Sequence, residues 1–364
     1  MTADQTYEAQ AAALDSEILE CIARRCVPDF GGLALRVFAH QLRYNAPYAR
    51  YCASLGVRPD AMPPCWQDIP PAPGGAFKEA ALTTFEPNRA ALTFETSGTT
   101  RGMGGKHYLE TPALYDASLL AGFHDAMLGG AQQPLRYLLL VPNPQERPHS
   151  SLGYMMQKVA GTYGDGGERW FLQGDRLQAA ALAQSVARAR AEGRPLCVAG
   201  TAFAFVQLLD EFGAMPHADL RLPDGSRVME TGGFKGRTRI VKREQLYASL
   251  AQTFVLKPEA IVAEYGMTEL CTQYYDVTFG EVRVKRAPPW LRTRVTGQRG
   301  QDVPDGTVGS LTHVDLANRS SCLAVQTEDL GVAAPDGGII LIGREEGAHL
   351  RGCSLDAEQL LSLK

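Results

Sequence analysis

The 364-residue chain has no long apolar run. Nowhere do about 18 apolar residues follow one another, so no helix is expected to cross a bilayer. It also lacks a C-x-x-C pair. The eight cysteines, at positions 21, 26, 52, 65, 197, 271, 322 and 353, are scattered. That scatter excludes a dense disulfide scaffold and an ordinary zinc knuckle. Neither sign of charge dominates: 36 lysines and arginines stand against 40 aspartates and glutamates, a net of −4. No bulk field therefore draws the chain to nucleic acid or to an anionic membrane. The opening MTADQTYEAQ lacks a basic stretch followed by an apolar one, so a secretory signal is not expected and a cytoplasmic location is. Fixed-period repeats, low-complexity tracts and the residue order of a hydrolase triad are missing too. What is present is ordinary for a globular protein: 45% hydrophobic and 21% charged residues, in a length that suggests two domains.

Residues 6–55 read as helices. Leu14, Ile18, Leu19 and Ile22 recur at helical spacing, and a second helical run is expected over 31–55. The proline-rich stretch 59–74 should be extended, because proline removes amide donors and restrains its predecessor. From residue 91 the texture alternates. Strands are predicted at 91–94, 136–141, 196–200, 227–230 and 260–264, and helices at 112–128, 176–191, 202–212 and 244–253. Such alternation implies a largely parallel sheet covered by helices. After about residue 270, short strand candidates at 274–279, 281–285, 291–295, 307–314, 323–326 and 339–342 suggest a small β-rich subdomain. Four regions result: a helical and proline-rich 1–75, an α/β region 76–270, a β-rich 271–343, and a hinge and tail 344–364.

The strongest local signal is Thr96-Ser97-Gly98-Thr99-Thr100-Arg101-Gly102-Met103-Gly104-Gly105-Lys106, directly after a predicted strand. Glycines let backbone amides approach an anion, hydroxyls donate, and a cation, Lys106 or Arg101, adds charge. It is not a Walker A loop, since Thr100 and His107 break that spacing. Its bland reading is a surface loop of small residues. Glu264-Tyr265-Gly266-Met267-Thr268-Glu269 places a carboxylate beside a hydroxyl at a strand's C-terminal end, which suits Mg²⁺ and phosphate; a polar turn is the alternative. In Glu230-Thr231-Gly232-Gly233-Phe234-Lys235 the paired glycines permit close approach to a flat ligand, or simply make a turn. Thr327-Glu328-Asp329 and Gly343-Arg344 would pass alone for surface ion pairs. Cys21, Cys26, Cys197 and Cys322 read as packing residues. Cys271 stands near enough to the Thr-Glu pair to line a pocket. His107 reads as a polar loop residue. Residues 150–156, with Phe203 and Phe205, would either hold an aliphatic or aromatic acid or pack as helix.

Taken in order, these pieces resemble the adenylate-forming superfamily of acyl-CoA synthetases, luciferases and peptide-synthetase adenylation domains. Within it, Gly-Gly-Phe-Lys-Gly at 232–236, the short length and Arg351-Gly352-Cys353-Ser354-Leu355 look most like the acyl-protein synthetases, the synthetase component of the fatty-acid reductase of bacterial bioluminescence. The resemblance implies an α/β adenylate-forming N-terminal-domain fold, helix-covered sheets plus a small β-rich subdomain. With only twenty residues after Arg344, the usual mobile C-terminal domain is expected to be lacking.

It also implies roles. Thr96, Ser97, Gly98, Thr99 and Thr100 would hold the ATP phosphates, with Lys106 as the catalytic cation. Tyr265 and Gly266 would meet adenine, and Gly232 and Gly233 would line the base. Thr268 would contact the α-phosphate, Glu269 would bind Mg²⁺, and Asp329 would take the ribose hydroxyls, assisted by Arg344. Cys353, on a polar tail beside Arg351, would accept the acyl group as a thioester and pass it to an acyl reductase or another acceptor protein. The substrate would be a carboxylic acid, in the first place a fatty acid. Coenzyme A, a carrier protein or an amine as acceptor, and a degenerate scaffold without activity, stay open as alternatives, as does an oligomeric state.

Overall fold

A computed structural model describes residues 3–96, 104–129, 134–213, 219–232, 242–297 and 300–344. The chain divides into two compact units, one made of Met1–Ala121, Met267–Gln273 and the chain from Lys285 onward, the other of Gly122–Gly266 and Tyr274–Val284.

The first unit opens with helices α1 (Ala3–Arg24), α2 (Phe30–Tyr44) and α3 (Ala46–Ser54). The run expected over 31–55 is thus two helices, and Asn45 divides them. Its amide donates to the Gln41 carbonyl at 2.8 Å, closing α2, while its side-chain oxygen accepts from the Tyr48 amide at 3.2 Å, opening α3. Pro47 sits in the first turn of α3, where no amide is needed. Asp29 caps α2 in the same way, from the Gly32 amide at 2.8 Å. Strand β1 (Ala72–Pro73), the single turn α4 (Ala76–Glu79), strands β2 (Leu92–Glu95) and β3 (Lys106–Leu109), and helix α5 (Ala113–Phe123) follow. Strands β2 and β3 form an antiparallel hairpin. The second strand is a finding beyond the sequence pattern, which gave the glycine-rich segment a strand on its N-terminal side only.

The second unit holds β4 (Arg136–Pro142), α6 (Ser151–Tyr163), β5 (Arg169–Gln173), β6 (Arg176–Leu177), α7 (Ala179–Ala191), β7 (Leu196–Thr201), α8 (Ala202–Gly213), β8 (Arg227–Thr231), α9 (Arg243–Phe254), β9 (Ile261–Tyr265) and β10 (Tyr274–Asp276). Its sheet runs β10-β9-β8-β7-β4-β5-β6, parallel from β9 to β5, with β10 and β6 antiparallel at its two ends. The helix expected over 176–191 starts later, because Gly174, at φ +58°, turns β5 back into β6 first. Leu182, Val186, Leu208, Leu246, Leu250 and Phe254 from the three helices pack with Leu138, Val198 and Val228 of the strands. Each such burial contributes about 1.5–3 kcal/mol. Phe205 lies in this same core, fully buried, so packing accounts for it.

The chain then returns to the first unit with β11 (Lys285–Arg286), β12 (Leu291–Thr296), β13 (Gly309–Asp315), β14 (Ala324–Ala333) and β15 (Ile339–Arg344). They form an antiparallel sheet in the order β12-β13-β14-β15-β11, with β1 added parallel to β14. Residues 281–284 are not strand, and β14 is longer than the stretch expected at 323–326. Among the described residues no helix is long and apolar enough to cross a membrane.

Candidate active site

In the second unit the candidate residues stand at the C-terminal ends of two adjacent parallel strands, where open α/β sheets bind their ligands. Thr231 of β8 lies in register with Glu264 of β9, and its hydroxyl donates to the Glu264 carboxylate. Gly232 follows at φ +77°, a conformation that strains any side chain. Tyr265 ends β9, with its ring tilted against Tyr274 at 5.5 Å between centroids. One residue back, the buried Glu230 accepts from the Tyr247 hydroxyl at 2.9 Å. The backbone ladder thus brings Gly232, Tyr265 and Gly266 to one edge. Gly233 lies outside the described residues.

In the first unit the hairpin β2–β3 closes tightly at its neck. The Thr96 amide donates to the Gly105 carbonyl at 2.9 Å, and the Gly105 amide to the Thr96 hydroxyl at 2.8 Å. Gly104 is required there, since a Cβ would fall 2.4 Å from the Thr96 carbonyl. Lys106 pairs with its cross-strand neighbour Glu95 at 3.3 Å, and both are half-buried. Ser97, Gly98, Thr99, Thr100 and Arg101 lie outside the described residues.

His107 departs from the sequence reading: it is a buried strand residue, not a loop residue. Its Nδ1 meets the Thr268 carbonyl at 2.8 Å, and its ring stands edge-on to Phe77. A carbonyl only accepts, so Nδ1 carries the proton. Burial pushes the imidazole pKa down to about 4.

The half-buried Thr268 and Glu269 belong to a turn after β9. Asn318 donates to the Glu269 carbonyl at 2.8 Å and accepts from the Cys271 amide at 3.0 Å. Asp315 accepts from the Cys271 amide at 3.0 Å, from the Thr272 hydroxyl at 2.8 Å and from the Ala317 amide at 3.0 Å. Burial raises the Asp315 carboxyl to about 6 against the pull of those donors. Thr272 bonds Ser118 at 2.8 Å, and Ser118 in turn accepts from the Trp290 indole at 2.8 Å. Cys271 is fully buried, with its thiol held protonated by burial, and its backbone is tied as described.

Asp329 lies on β14 in register with Arg344 of β15, so this expected pair is brought together along the backbone. The Asp329 amide donates to the Thr327 hydroxyl at 3.1 Å, and that hydroxyl donates to the Leu311 carbonyl at 3.0 Å. The neighbouring His313 is buried, which pushes its pKa down to about 4. Cys21, Cys197 and Cys322 are buried as expected, whereas Cys26, just past the end of α1, is exposed. Cys353 lies outside the described residues. Asn318, Asp315 and Thr272 went unread in the sequence. Only the Asp315-x-x-Asn318 spacing, which opens a short 3₁₀ turn, could have hinted at a structural role.

A family model described as Acyl-protein synthetase, LuxE matches residues 6–362. The chain belongs to that family. It is an enzyme of the ligase class, as the motifs implied. Two relatives named long-chain-fatty-acid--luciferin-component ligase are similar to this acyl-protein synthetase across most of its length. The one from Vibrio harveyi is 23% identical over 340 residues, 90% of this chain and 87% of the relative. The one from Aliivibrio fischeri is 21% identical over 343 residues, 90% and 88%. Among solved structures, ATP-bound MatB from Rhodopseudomonas palustris aligns with a TM-score of 0.50 at 17% identity, covering 72% of this chain and 49% of that one. McyG A-PCP complexed with phenylalanyl-adenylate aligns with a TM-score of 0.50 at 19% identity, covering 72% and 48%. The chain spans about half the length of these solved structures. The acyl-protein synthetase thus has the adenylate-forming fold that its motifs led us to expect.

Proposed function

We propose that this chain activates a carboxylic acid, first of all a fatty acid, as an acyl-adenylate at the expense of ATP. The observation that carries the reading is the meeting of two separate motifs. The hairpin that begins with Thr96 and ends with Lys106 is bonded through His107 to the Thr268–Glu269 turn. The strand that closes the glycine-rich segment is thereby tied to the turn that carries a second hydroxyl and a carboxylate. The names of the Vibrio harveyi and Aliivibrio fischeri relatives support the choice of a long-chain acid.

In this reading a carboxylate oxygen of the acid attacks the α-phosphorus of ATP. The bond from that phosphorus to the bridging oxygen breaks, and pyrophosphate leaves. Thr96 through Thr100 and Lys106 hold the phosphates, and Thr268 donates to the α-phosphate. Gly232, Gly233, Tyr265 and Gly266 border the base, and Asp329 with Arg344 binds the ribose. Such a displacement requires positioning and charge neutralisation more than covalent help. Among the described residues no group of three histidine, cysteine, aspartate or glutamate side chains could hold a metal. The half-buried Glu269 fits Mg²⁺ of the kind held by one carboxylate and the substrate's own phosphates. When bound, that ion neutralises charge developing on phosphate oxygens. Cys353 then attacks the acyl carbon as thiolate, its proton passing to solvent. The carbon–oxygen bond to AMP breaks, and the thioester is presented to an acyl reductase or other acceptor protein.

The test is pyrophosphate exchange across a panel of acids with ATP and Mg²⁺, followed by incubation with labelled acid and a denaturing gel. Acid-dependent exchange and hydroxylamine-labile label lost in Cys353→Ala are expected. Label persisting in Cys353→Ala overturns the thioester; the lack of exchange with every acid of the panel overturns adenylation.

A further inference from the structure

We propose that His107 is a positioning residue, whose imidazole latches the hairpin β2–β3 to the Thr268–Glu269 turn and so sets that turn's hydroxyl and carboxylate relative to the hairpin. For its catalytic consequence the inference rests on the adenylation reading above.

Lys106 and His107 are successive strand residues and so point to opposite faces. Lys106 is turned out to Glu95 and His107 inward to Thr268. The ring makes one polar contact, at 2.8 Å to the Thr268 carbonyl, while its Nε2 is buried with no hydrogen-bond partner among the described residues. A leucine would fill such a place without that desolvation cost. The feature that distinguishes histidine here is the bond to the turn. Burial keeps the ring neutral, so Nδ1 stays a donor across the physiological range.

Few backbone bonds hold the turn from within among the described residues. Among the described residues its internal backbone bond runs from the Leu270 amide to the Met267 carbonyl at 3.2 Å. Distant side chains tie it as well: His107 at residue 268, Asn318 at residues 269 and 271, and Asp315 at residues 271 and 272. Asn318 grips one side of the turn and His107 the other. Releasing either lets the turn drift, and a displacement of about 1 Å at a reacting centre can cost about 100-fold in rate.

Three variants decide the matter, each measured by acid-dependent pyrophosphate exchange and, without substrates, by amide hydrogen exchange of a peptide spanning 267–273. His107→Asn places an amide donor where Nδ1 stands; His107→Leu keeps the apolar volume and removes the donor. His107→Gln places its donor at the Nε2 position and is expected to behave like His107→Leu, keeping the test open should the leucine variant fail to fold. In the Leu and Gln variants we expect kcat to fall about 10- to 100-fold, with KM for the acid almost unchanged and the 267–273 amides exchanging faster. In the Asn variant both readouts recover to near the parent. Parental kcat and parental amide exchange in the Leu and Gln variants overturn the latch, as does an Asn variant no better than Leu. If the parent shows no pyrophosphate exchange with any acid, the adenylation reading falls separately. Amide exchange then still decides the latch: faster in Leu and Gln but not in Asn upholds it, and unchanged exchange refutes it.

Discussion

The candidate residues of the second unit and those of the first are held in place by different means. Gly232 and Tyr265 end parallel strands, so a repeated backbone ladder fixes them. Thr268 and Glu269 sit on a turn fixed by side chains from residues 107, 315 and 318. A ladder spreads its restraint over many bonds, none of them specific to a side chain. The turn concentrates its restraint in a few buried polar groups. That arrangement is stiff only while each group keeps its partner. The first unit therefore carries more of its order in titratable and replaceable atoms.

The largest expected effect is on acidification. His40, His107 and His313, all in the first unit, have pKa values pushed down to about 4 by burial. The unfolded chain takes up these protons near pH 6.5 and the folded chain does not. Stability from these groups is thus present above about pH 6.5 and lost as pH falls toward 4. Between pH 7 and 5 each histidine should cost about 2 kcal/mol. Asp315 works the other way. Its folded pKa of about 6 lies above the ordinary carboxylate value, so it returns about 1 kcal/mol over the same range. In a Trp170→Phe background, where Trp66 and Trp290 of the first unit report, the urea midpoint should drop by several tenths molar or more between pH 7 and 5. A flat profile breaks the comparison.

Asp315→Ala comes next. It strands the Ala317 amide and takes one of two partners from the Cys271 amide and from the Thr272 hydroxyl, at a cost of about 3–5 kcal/mol by urea unfolding. Its counterpart on the ladder, Thr231→Val, removes one donor to Glu264 and should cost about 1–3 kcal/mol. Equal costs would erase the distinction. Gly232→Ala, strained by its φ of +77° though unobstructed among the described residues, should cost about 1–2 kcal/mol in thermal unfolding. Glu95→Gln, at a solvent-accessible surface pair, should change stability by no more than about 0.5 kcal/mol by the same measurement.

Legibility in the sequence follows the same divide. Four of the five parallel strands announced themselves as short apolar runs at 136–141, 196–200, 227–230 and 260–264, each within a residue or two of the element that forms, whereas β5, with Arg169 and Gln173 at its ends, was not read. Strand ends carrying Gly232 and Tyr265 came with them, because a strand's end is a local event. The hairpin partner β3 was hidden: Lys-His-Tyr-Leu is short and mixed, and its role depends on pairing with β2. His107 was misplaced for the same reason. Asn318 and Asp315 were silent because their partners lie 43 to 49 residues away in sequence, a relation that no local pattern encodes. The split of α2 from α3 was legible in principle, in Asn45 and Pro47, but helical periodicity on both sides masked it.

The side chain of Gln41 donates to the carbonyls of Asn318 and Arg319, at 2.9 and 3.1 Å, and accepts from the Leu323 amide at 2.9 Å. Asn45 adds a bond to the Ser321 carbonyl at 3.1 Å. These stitches join points up to 282 residues apart. On a ribosome adding roughly 5–20 residues per second, α2 would wait on the order of 14–56 s for its counterpart to be made. For that interval the side chains of Gln41 and Asn45 lack these native partners. The polar seat of α2 therefore closes only once the chain has been made past residue 323.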